Sequence, residues 1–371
     1  MQFSQEQRRL LWLSAAELSA DRVNRLLEER GSAQALWEDY QRGLSLTASP
    51  EANRVLARYH SELALDALCE RIEKKGITVL FPGDEDYPAL LSVIKDPPYA
   101  LYVLGSVRAL RTPSVAIVGT RYPSGYGRNM AQTIAFGLCD AGLGVVSGMA
   151  RGIDGCAHDG AIAAGGPTVA VLGSGVNVPY PMDNIGIYRK LIEGMGAVIS
   201  EYPIDATPQT YHFPNRNRVI SGLCRGVVFV EGKIKSGGMI TVNAALDQGR
   251  DVFAVPGCVG QQGSEGPHQI IREGATLITS AADILLDLGL EPKPDLTEVR
   301  GELALEGENQ AQKTILKALL REPMGTDELC AETGIQTDAL LAEVSVMEIL
   351  GQIRRDPGNI FSLAIRNSRT E

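Results

Sequence analysis

The stretch SVAIVGTRYPSGYGR, residues 114–128, indicates the fold class of this chain. Its apolar run Val115–Val118 ends at Gly119, and a segment of helical character follows. A strand that turns through glycine into a helix is typical of nucleotide-binding α/β folds. The dinucleotide fingerprint fails because Arg121 and Ser124 stand where it needs glycine, and the P-loop pattern fails because no Lys-Ser/Thr pair follows. We therefore expect Arg121 to meet an anion at the surface.

Composition favours a soluble protein of two or three domains. The chain has 371 residues, of which 44% are hydrophobic and 40 are glycine. We expect no membrane span, because apolar stretches of 18 residues without Gly or charge are missing. The six cysteines form no C-x-x-C pair, which predicts free thiols in a reducing cytoplasm, no metal site and no cofactor. The net charge of −10 argues against binding nucleic acid by bulk attraction but permits a local basic groove.

A regular alternation of apolar runs and helix-like segments begins at Ser114. Near-continuous apolar strands separated by helices predict a parallel sheet that is covered on both faces. Ligands of such sheets bind at the carboxyl ends of the strands, so we expect function in the turns that follow them. The predicted strands are 115–118, 144–147, 168–172, 197–200, 227–230, 252–255 and 276–278.

The remaining segments predict a domain order around this core. Residues 1–75 have leucines at helical spacing and predict a helical N-terminal domain, and the core spans 76–288. An acidic, proline-containing stretch at 289–310 indicates a linker. Residues 311–365 predict three helices and a two-stranded ribbon, which together make a winged helix. The predicted fold is thus a Rossmann-like parallel sheet with a helical N-terminal domain and a C-terminal winged helix.

Three turns that follow strands, at residues 119–121, 147–152 and 236–238, have the same pattern of residues. Each places small residues where a helix begins, and the N–H groups of helix N-termini attract anions. Cationic side chains lie in or beside these turns, which favours a groove that binds the phosphates of a ligand. The candidate residues are Gly119, Thr120, Arg121, Ser147, Gly148, Arg151, Lys233, Lys235, Ser236, Gly237 and Gly238.

A further candidate is YHFPNRNRVISGL, residues 211–223. Arginines that alternate with Asn217 after an aromatic residue suit phosphate contacts beside a stacking ring. We expect Arg216 and Arg218 to neutralise phosphates, with Phe213 or Tyr211 stacking on a base.

The ordered set IVGTR, SGMARGIDGCAH, VAVLGSGVNVPYP, SEYP, FPNRNRVISGL, VVFVEGKIKSGGMIT, VFAVPG and IIREGATLIT resembles the DNA processing protein A family, DprA, also called Smf. The resemblance covers residues 110–285 densely. It implies an extended Rossmann-like domain that binds single-stranded DNA, works as a homodimer and loads the recombinase RecA in natural transformation. It implies no established catalytic activity.

Carried onto this sequence, the resemblance implies DNA contacts in the turn at Gly119, Thr120 and Arg121. It implies others in the motif Arg216, Asn217 and Arg218 and in the turn Ser236, Gly237 and Gly238. It places the dimer contact near the end of the core, at His268, Ile271 and Leu277. One departure is AELSADRVNRLL, residues 16–27, which replaces the usual glycine-rich hairpin of the N-terminal helices.

An enzyme on the same general fold is the first alternative. Phosphoribohydrolases of the lysine-decarboxylase-like group have a P-G-G-x-G-T-x-x-E motif whose glutamate drives the chemistry. The nearest segment here, residues 236–244, keeps the glycines but has Ala244 at the acid position, and alanine transfers no proton. Asp154 is expected to hold a turn, and His158 is expected to pack in the interior. We therefore do not expect the two to form a catalytic pair. The sequence thus predicts a protein that holds phosphates without catalysis.

A transcription regulator that reads DNA through the winged helix is the second alternative. The expected recognition helix, residues 336–347, contains Asp338 and Glu343 and no Lys or Arg. Residues 308–371 hold seven Lys/Arg against ten Asp/Glu, a net charge of −3. Duplex binding begins with phosphate neutralisation. We therefore expect this domain to dock protein.

Overall fold

The N-terminal region is helical in the computed structural model, which describes residues 3–291, 309–321, 323–350, 352–356 and 358–363. Serine hydroxyls cap four of its helices by accepting a hydrogen bond from a backbone N–H three positions ahead. The helices are α1 (Gln5–Ala15), α2 (Ala20–Arg30), α3 (Ala33–Gln41), α4 (Pro50–Tyr59) and α5 (Glu62–Lys74).

These helices do not form an isolated core. Trp12 and Leu36 are fully buried, and they belong to one apolar cluster with Tyr102 and Val198 of the central sheet. The hydroxyl groups of Ser14 and Tyr102 are hydrogen-bonded at 2.8 Å. The N-terminal helices are therefore packed directly against the core.

The central sheet has nine strands in the order β1-β2-β6-β5-β4-β3-β7-β8-β9. β1 and β2 pair antiparallel, β2 meets β6 antiparallel, and all other pairs are parallel. Each apolar run predicted from the sequence is one of these strands. They are β1 (Thr78–Leu80), β2 (Leu101–Gly105), β3 (Ser114–Val118), β4 (Gly144–Ser147), β5 (Thr168–Val171), β6 (Gly196–Ser200), β7 (Gly226–Phe229), β8 (Asp251–Ala254) and β9 (Thr276–Leu277).

Helices cover both faces of the sheet, as predicted. Successive side chains of a strand point to opposite faces. Val115 and Ile117 of β3 accordingly pack in one apolar cluster, whereas Ala116 and Val118 pack in another. The core helices are α6 (Ala89–Ser92), α7 (Gly125–Asp140), α8 (Ile153–Ala163), α9 (Ile185–Lys190), α10 (His212–Gly222), α11 (Gly237–Asp247), α12 (Glu265–Arg272) and α13 (Ala281–Asp287).

The C-terminal region forms the predicted winged helix around its own apolar cluster, which includes Leu329, Val344 and Phe361. Its sheet has three strands rather than the expected two, because β12 pairs with β10 on one side and with β11 on the other. Most of the predicted linker lies outside the described residues. The elements are α14 (Gln310–Arg321), β10 (Met324–Gly325), α15 (Thr326–Thr333), α16 (Thr337–Ile349), β11 (Ile353–Asp356) and β12 (Ile360–Leu363). Across the described ranges, the helices are too short or too polar to cross a bilayer.

Candidate nucleic-acid interface

The sheet changes direction between β3 and β7. From β3 the chain builds outward through β4, β5 and β6, and then returns to place β7 on the other side of β3. Such a switch point leaves a crevice at the carboxyl ends of the two strands. The turn after β3 and the turn before α11 meet there, because Thr120 N donates to Glu231 O at 2.7 Å. Two of the three predicted turns thus lie side by side.

The N-terminus of α7 is already occupied by a carboxylate of the protein itself. Glu231, which is only 5% exposed, follows β7. Its carboxylate accepts hydrogen bonds from Ser124 N at 2.9 Å and from Ser124 Oγ at 2.6 Å. Ser124 Oγ in turn accepts a bond from Gly127 N at 3.0 Å. The turn after β3 therefore holds an internal anion at its helix end, while the side chain of Arg121 stays exposed.

The turn at 147–152 is filled in the same way, and the DNA contacts expected of Ser147 and Gly148 stay predictions. Gly148 N and Ala150 N donate to Asp154 Oδ2 at 3.1 and 3.3 Å, and Ser147 Oγ donates to Ile117 O at 2.7 Å. Asp154 holds this turn, as predicted. Burial raises the pKa of its carboxyl group, and the charge of Arg216 opposes that shift.

The N-terminus of α11 is different. Ser236 N-caps this helix without a side-chain hydrogen bond, and Gly237 is exposed. Among the described residues, no group accepts a hydrogen bond from Gly237 N or Gly238 N. The free N–H groups of a helix N-terminus favour an anion. The exposed end of this helix at Gly237 therefore has a free N–H donor, whereas Gly238 is buried.

Exposed cations lie in the two turns that meet at the crevice. Arg121 is exposed, and a Cβ on Gly238 would lie 3.4 Å from the Cα of Gly119 in the same turn as Arg121. Lys233 and Lys235 are also exposed in the loop that leads into α11. Within the described part of the chain, none of the three cations has an acidic partner. Each can therefore meet an external anion.

Arg151 is exposed as well, but its Nη2 lies 2.8 Å from the Asp183 carboxylate. Gly152 allows the turn that contains Arg151 to approach the turn after β3 closely. Its φ is 80°, and a Cβ there would lie only 2.4 Å from Thr120 O. Arg151 is thus held in an ion pair, and its DNA contact stays a prediction.

Arg216 does not present its charge to the groove in this structure, and its phosphate contact stays a prediction. It is only 5% exposed, and its Nη1 donates to Gly148 O at 2.8 Å and to Val171 O. Burial lowers the pKa of the guanidinium to about 10, and the Asp154 charge opposes this shift. Asn217 is also buried, and it accepts a hydrogen bond from Arg216 Nε at 3.2 Å. This part of α10 holds the turns in place.

Arg218 is likewise engaged within the fold. Its side chain is 22% exposed, pairs with Glu201 and donates to Asp96 O at 2.6 Å. Burial raises the pKa of the Glu201 carboxyl group, and the charge of Arg218 opposes that shift. The expectation that Arg218 neutralises a phosphate stays a prediction.

Aromatic rings lie near these turns. Phe213 is half-buried, with its ring centroid 5.5 Å from that of Tyr180, and Tyr211 is 61% exposed. Sequence reasoning missed Tyr180, which is 46% exposed, and Tyr122, which follows Arg121 and is 83% exposed. The available signal was their place in post-strand turns. The site thus offers several rings on which an unpaired base could stack.

The proposed dimer residues differ in accessibility. β9 is the edge strand of the sheet, and Leu277 on it is 48% exposed. His268 Nε2 donates to Gly257 O at 2.9 Å, and Ile271 packs against the core. Of the three, Leu277 is exposed, whereas His268 and Ile271 are partly buried.

His158 packs in the interior, as expected. It is fully buried, its Nδ1 lies 2.8 Å from Thr168 Oγ1, and burial lowers its pKa to about 3. The imidazole is therefore neutral at pH 7. In the described ranges, His, Cys, Asp and Glu side chains form no group of three that could hold a metal ion.

Two family models match the chain. Residues 78–289 match DNA recombination-mediator protein A, and residues 302–359 match the DprA winged helix domain. The chain belongs to the DprA family. This confirms the resemblance drawn from the ordered motifs.

Individual DprA relatives agree with this assignment. Protein Smf of Escherichia coli K12 is 44% identical over 222 residues, which are 59% of this chain and 59% of that protein. The X-ray structure of DprA from Streptococcus pneumoniae superposes with a TM-score of 0.63 at 32% identity, over 77% of this chain and 99% of that chain. A DprA structure from Helicobacter pylori, described for its single-stranded DNA binding mode, gives a TM-score of 0.52 at 29% identity, over 57% of this chain and 95% of that one.

Proposed function

We propose that this DprA protein binds single-stranded DNA at the switch-point crevice. The N–H groups of Gly237 and Gly238 donate to a phosphate, while Arg121, Lys233 and Lys235 neutralise the backbone charge. The observation that carries the proposal is the contrast between helix ends. Carboxylates of the protein fill the turns at α7 and α8, whereas the α11 end has free donors and unpaired cations beside it among the described residues.

Unpaired bases fit this crevice better than a duplex does. The exposed rings of Tyr122, Tyr180 and Tyr211 provide stacking surfaces, which only unstacked bases can use. The single-stranded DNA binding described for the Helicobacter pylori relative supports the same ligand.

We infer further that the bound strand is protected and handed to the recombinase RecA during natural transformation. The family description as a recombination mediator supports this role. A homodimer formed through the β9 edge, acting in the cytoplasm, would bring two crevices to one strand. Leu277 at this edge supports the dimer.

Catalysis and duplex reading have less support. Ala244 on α11 provides no proton-transfer group where the related hydrolases have an acid. In the winged helix, Arg354 donates to Ser362 Oγ and Gln132 Oε1, both at 3.0 Å, and Arg355 pairs with Glu348 at 3.1 Å. Both arginines of the ribbon are thus engaged within the chain.

Binding of single and double strands of the same sequence, measured by fluorescence anisotropy, tests the proposal. We expect the single strand to bind at least about tenfold more tightly, a difference of about 1.4 kcal/mol. Tighter binding of the duplex would favour the transcription regulator. Release of a base from a nucleoside monophosphate would favour the hydrolase.

A further inference from the structure

The helix α16 of the winged-helix domain is apolar on two opposite sides. Its inner side is buried in the apolar cluster of the domain itself. Its outer side is exposed at positions 338, 342, 345 and 349, which helical spacing places in one row, here called the outer row. Ile349 in this row is 86% exposed, and Val346 beside it is 43% exposed. A helix that is apolar on all sides is ordinarily buried, so the outer row lacks the cover that such a helix needs within the described part of the chain.

Acidic residues border the outer row. The helices α15 and α16 each contain three acidic residues and no Lys or Arg. On α16, Asp338 is exposed at the start of the row, and helical spacing places Glu343 and Glu348 at its two edges. Glu348 pairs with Arg355 at 3.1 Å, whereas the Glu343 carboxylate accepts hydrogen bonds at 2.8 and 2.9 Å from two side-chain amides, which carry no charge. The border of the row therefore keeps negative charge at Asp338 and Glu343.

This charge pattern distinguishes between the possible partners. A DNA duplex and a membrane surface with anionic lipids are both negative, and the acidic border repels them. A second α16 would bring two acidic borders together. An amphipathic helix docks on an apolar surface through residues spaced three and four apart, and Lys or Arg beside its apolar stripe would meet the acids. A basic amphipathic helix is therefore the partner that fits.

We propose that the outer row of α16 docks a basic amphipathic helix of a protein partner. The apolar stripe of that helix covers Ala342, Val346 and Ile349, and its Lys or Arg side chains meet Asp338 and Glu343. Winged helices that read a duplex present the corresponding helix to the major groove, so this domain uses the same element for a protein instead. The proposal goes beyond single-stranded DNA binding and does not depend on it, because α16 packs in the apolar cluster of the winged helix alone.

Two labelled peptides test the proposal by fluorescence anisotropy with the full chain at physiological ionic strength. One peptide has leucines at helical spacing with lysines beside them, and the other has glutamates in place of those lysines. The lysine peptide should bind at least about tenfold more tightly, because charge pairs across an interface form with it alone.

Ile349→Gln separates docking from bulk attraction to a protein of net charge −10, because it removes apolar surface without changing the charge. It should weaken binding of the lysine peptide by about tenfold, the order of one buried aliphatic side chain. Leu63→Gln is the matched control, since Leu63 is 82% exposed on α5, and it should bind as the wild type does. Asp338→Asn should reduce the difference between the two peptides.

Three outcomes would overturn the proposal. Equal binding of the two peptides by the wild-type protein, or binding of neither, would exclude the basic partner. Undiminished binding of the lysine peptide by Ile349→Gln would place the docking surface away from α16. Self-association that Ile349→Gln abolishes, without binding of either peptide, would assign the outer row to a second copy of the chain. Each variant should bind single-stranded DNA as the wild type does, and this parallel measurement tests the proposed function separately.

Discussion

The buried charge of Arg216 stabilises the interior of the fold. Its guanidinium donates to Gly148 O from 68 positions away, and it is the cationic neighbour of the buried Asp154 carboxylate. A buried charge that loses its partner costs far more than an exposed one. Arg216 therefore supports the binding turns indirectly, by fixing where they lie.

Replacing Arg216 with alanine should destabilise the protein by about 3 kcal/mol, because Asp154 would remain buried without a compensating charge. Thermal or denaturant unfolding measures this loss. Arg121→Ala is the control, and it should leave the melting temperature unchanged, because Arg121 is exposed and unpaired among the described residues. An Arg216→Ala protein of wild-type stability that binds DNA with a shallower salt dependence would show a direct phosphate contact instead.

At the scale of the element, the N-terminus of α11 is the part of the groove that remains open. A Cβ added at Gly237, the first residue of this helix, would have no heavy atom within 4 Å, so a side chain fits there. A negative charge in the first turn of a helix is favourable to that helix. The same charge would occupy the place proposed for a phosphate.

Gly237→Asp should therefore separate stability from binding. The melting temperature should stay the same or rise, whereas affinity for single-stranded DNA should fall on the order of tenfold through like-charge repulsion. Gly237→Ala is the matched control and should bind nearly as the wild type does. Undiminished binding by a folded Gly237→Asp protein would place the phosphate away from this helix.

The elements were easier to predict from the sequence than the roles of their side chains. Strands such as Ser114–Val118 and Gly226–Phe229 are short apolar runs with turn residues at their ends, so the pattern is local. The partners of the site residues are not local. Ser124 and Glu231 are 107 positions apart, and Arg218 and the carbonyl of Asp96 are 122 apart. A sequence motif therefore could not show which arginines pair internally.

At the scale of the whole molecule, the edge strand β9 is a candidate surface for forming a dimer. An unpaired sheet edge is a natural surface for a second chain. The winged helix has its own apolar cluster around Leu329 and Phe361, whereas the N-terminal helices share theirs with the sheet. The core with its N-terminal helices is thus the unit on which dimerisation should depend.

Leu277→Arg should convert the proposed homodimer into a monomer, because it places a charge on the apolar edge. Sedimentation velocity measures the change, and circular dichroism confirms that the fold is retained. Leu63→Arg alters another exposed leucine, 82% exposed on α5, and should remain dimeric. A dimeric Leu277→Arg protein would place the interface elsewhere.

The salt dependence of single-strand binding is the sharpest test of the crevice as a DNA site. If Arg121 meets a DNA phosphate, Arg121→Ala should make the slope of log affinity against log salt shallower by about 0.7. The reason is that binding then neutralises one phosphate fewer and releases correspondingly fewer counterions from the DNA. Arg108→Ala should keep the wild-type slope, since Arg108 is exposed in the segment that precedes β3, at the amino end of the parallel strands. A well-folded Arg121→Ala protein with the wild-type slope would contradict the phosphate contact at Arg121.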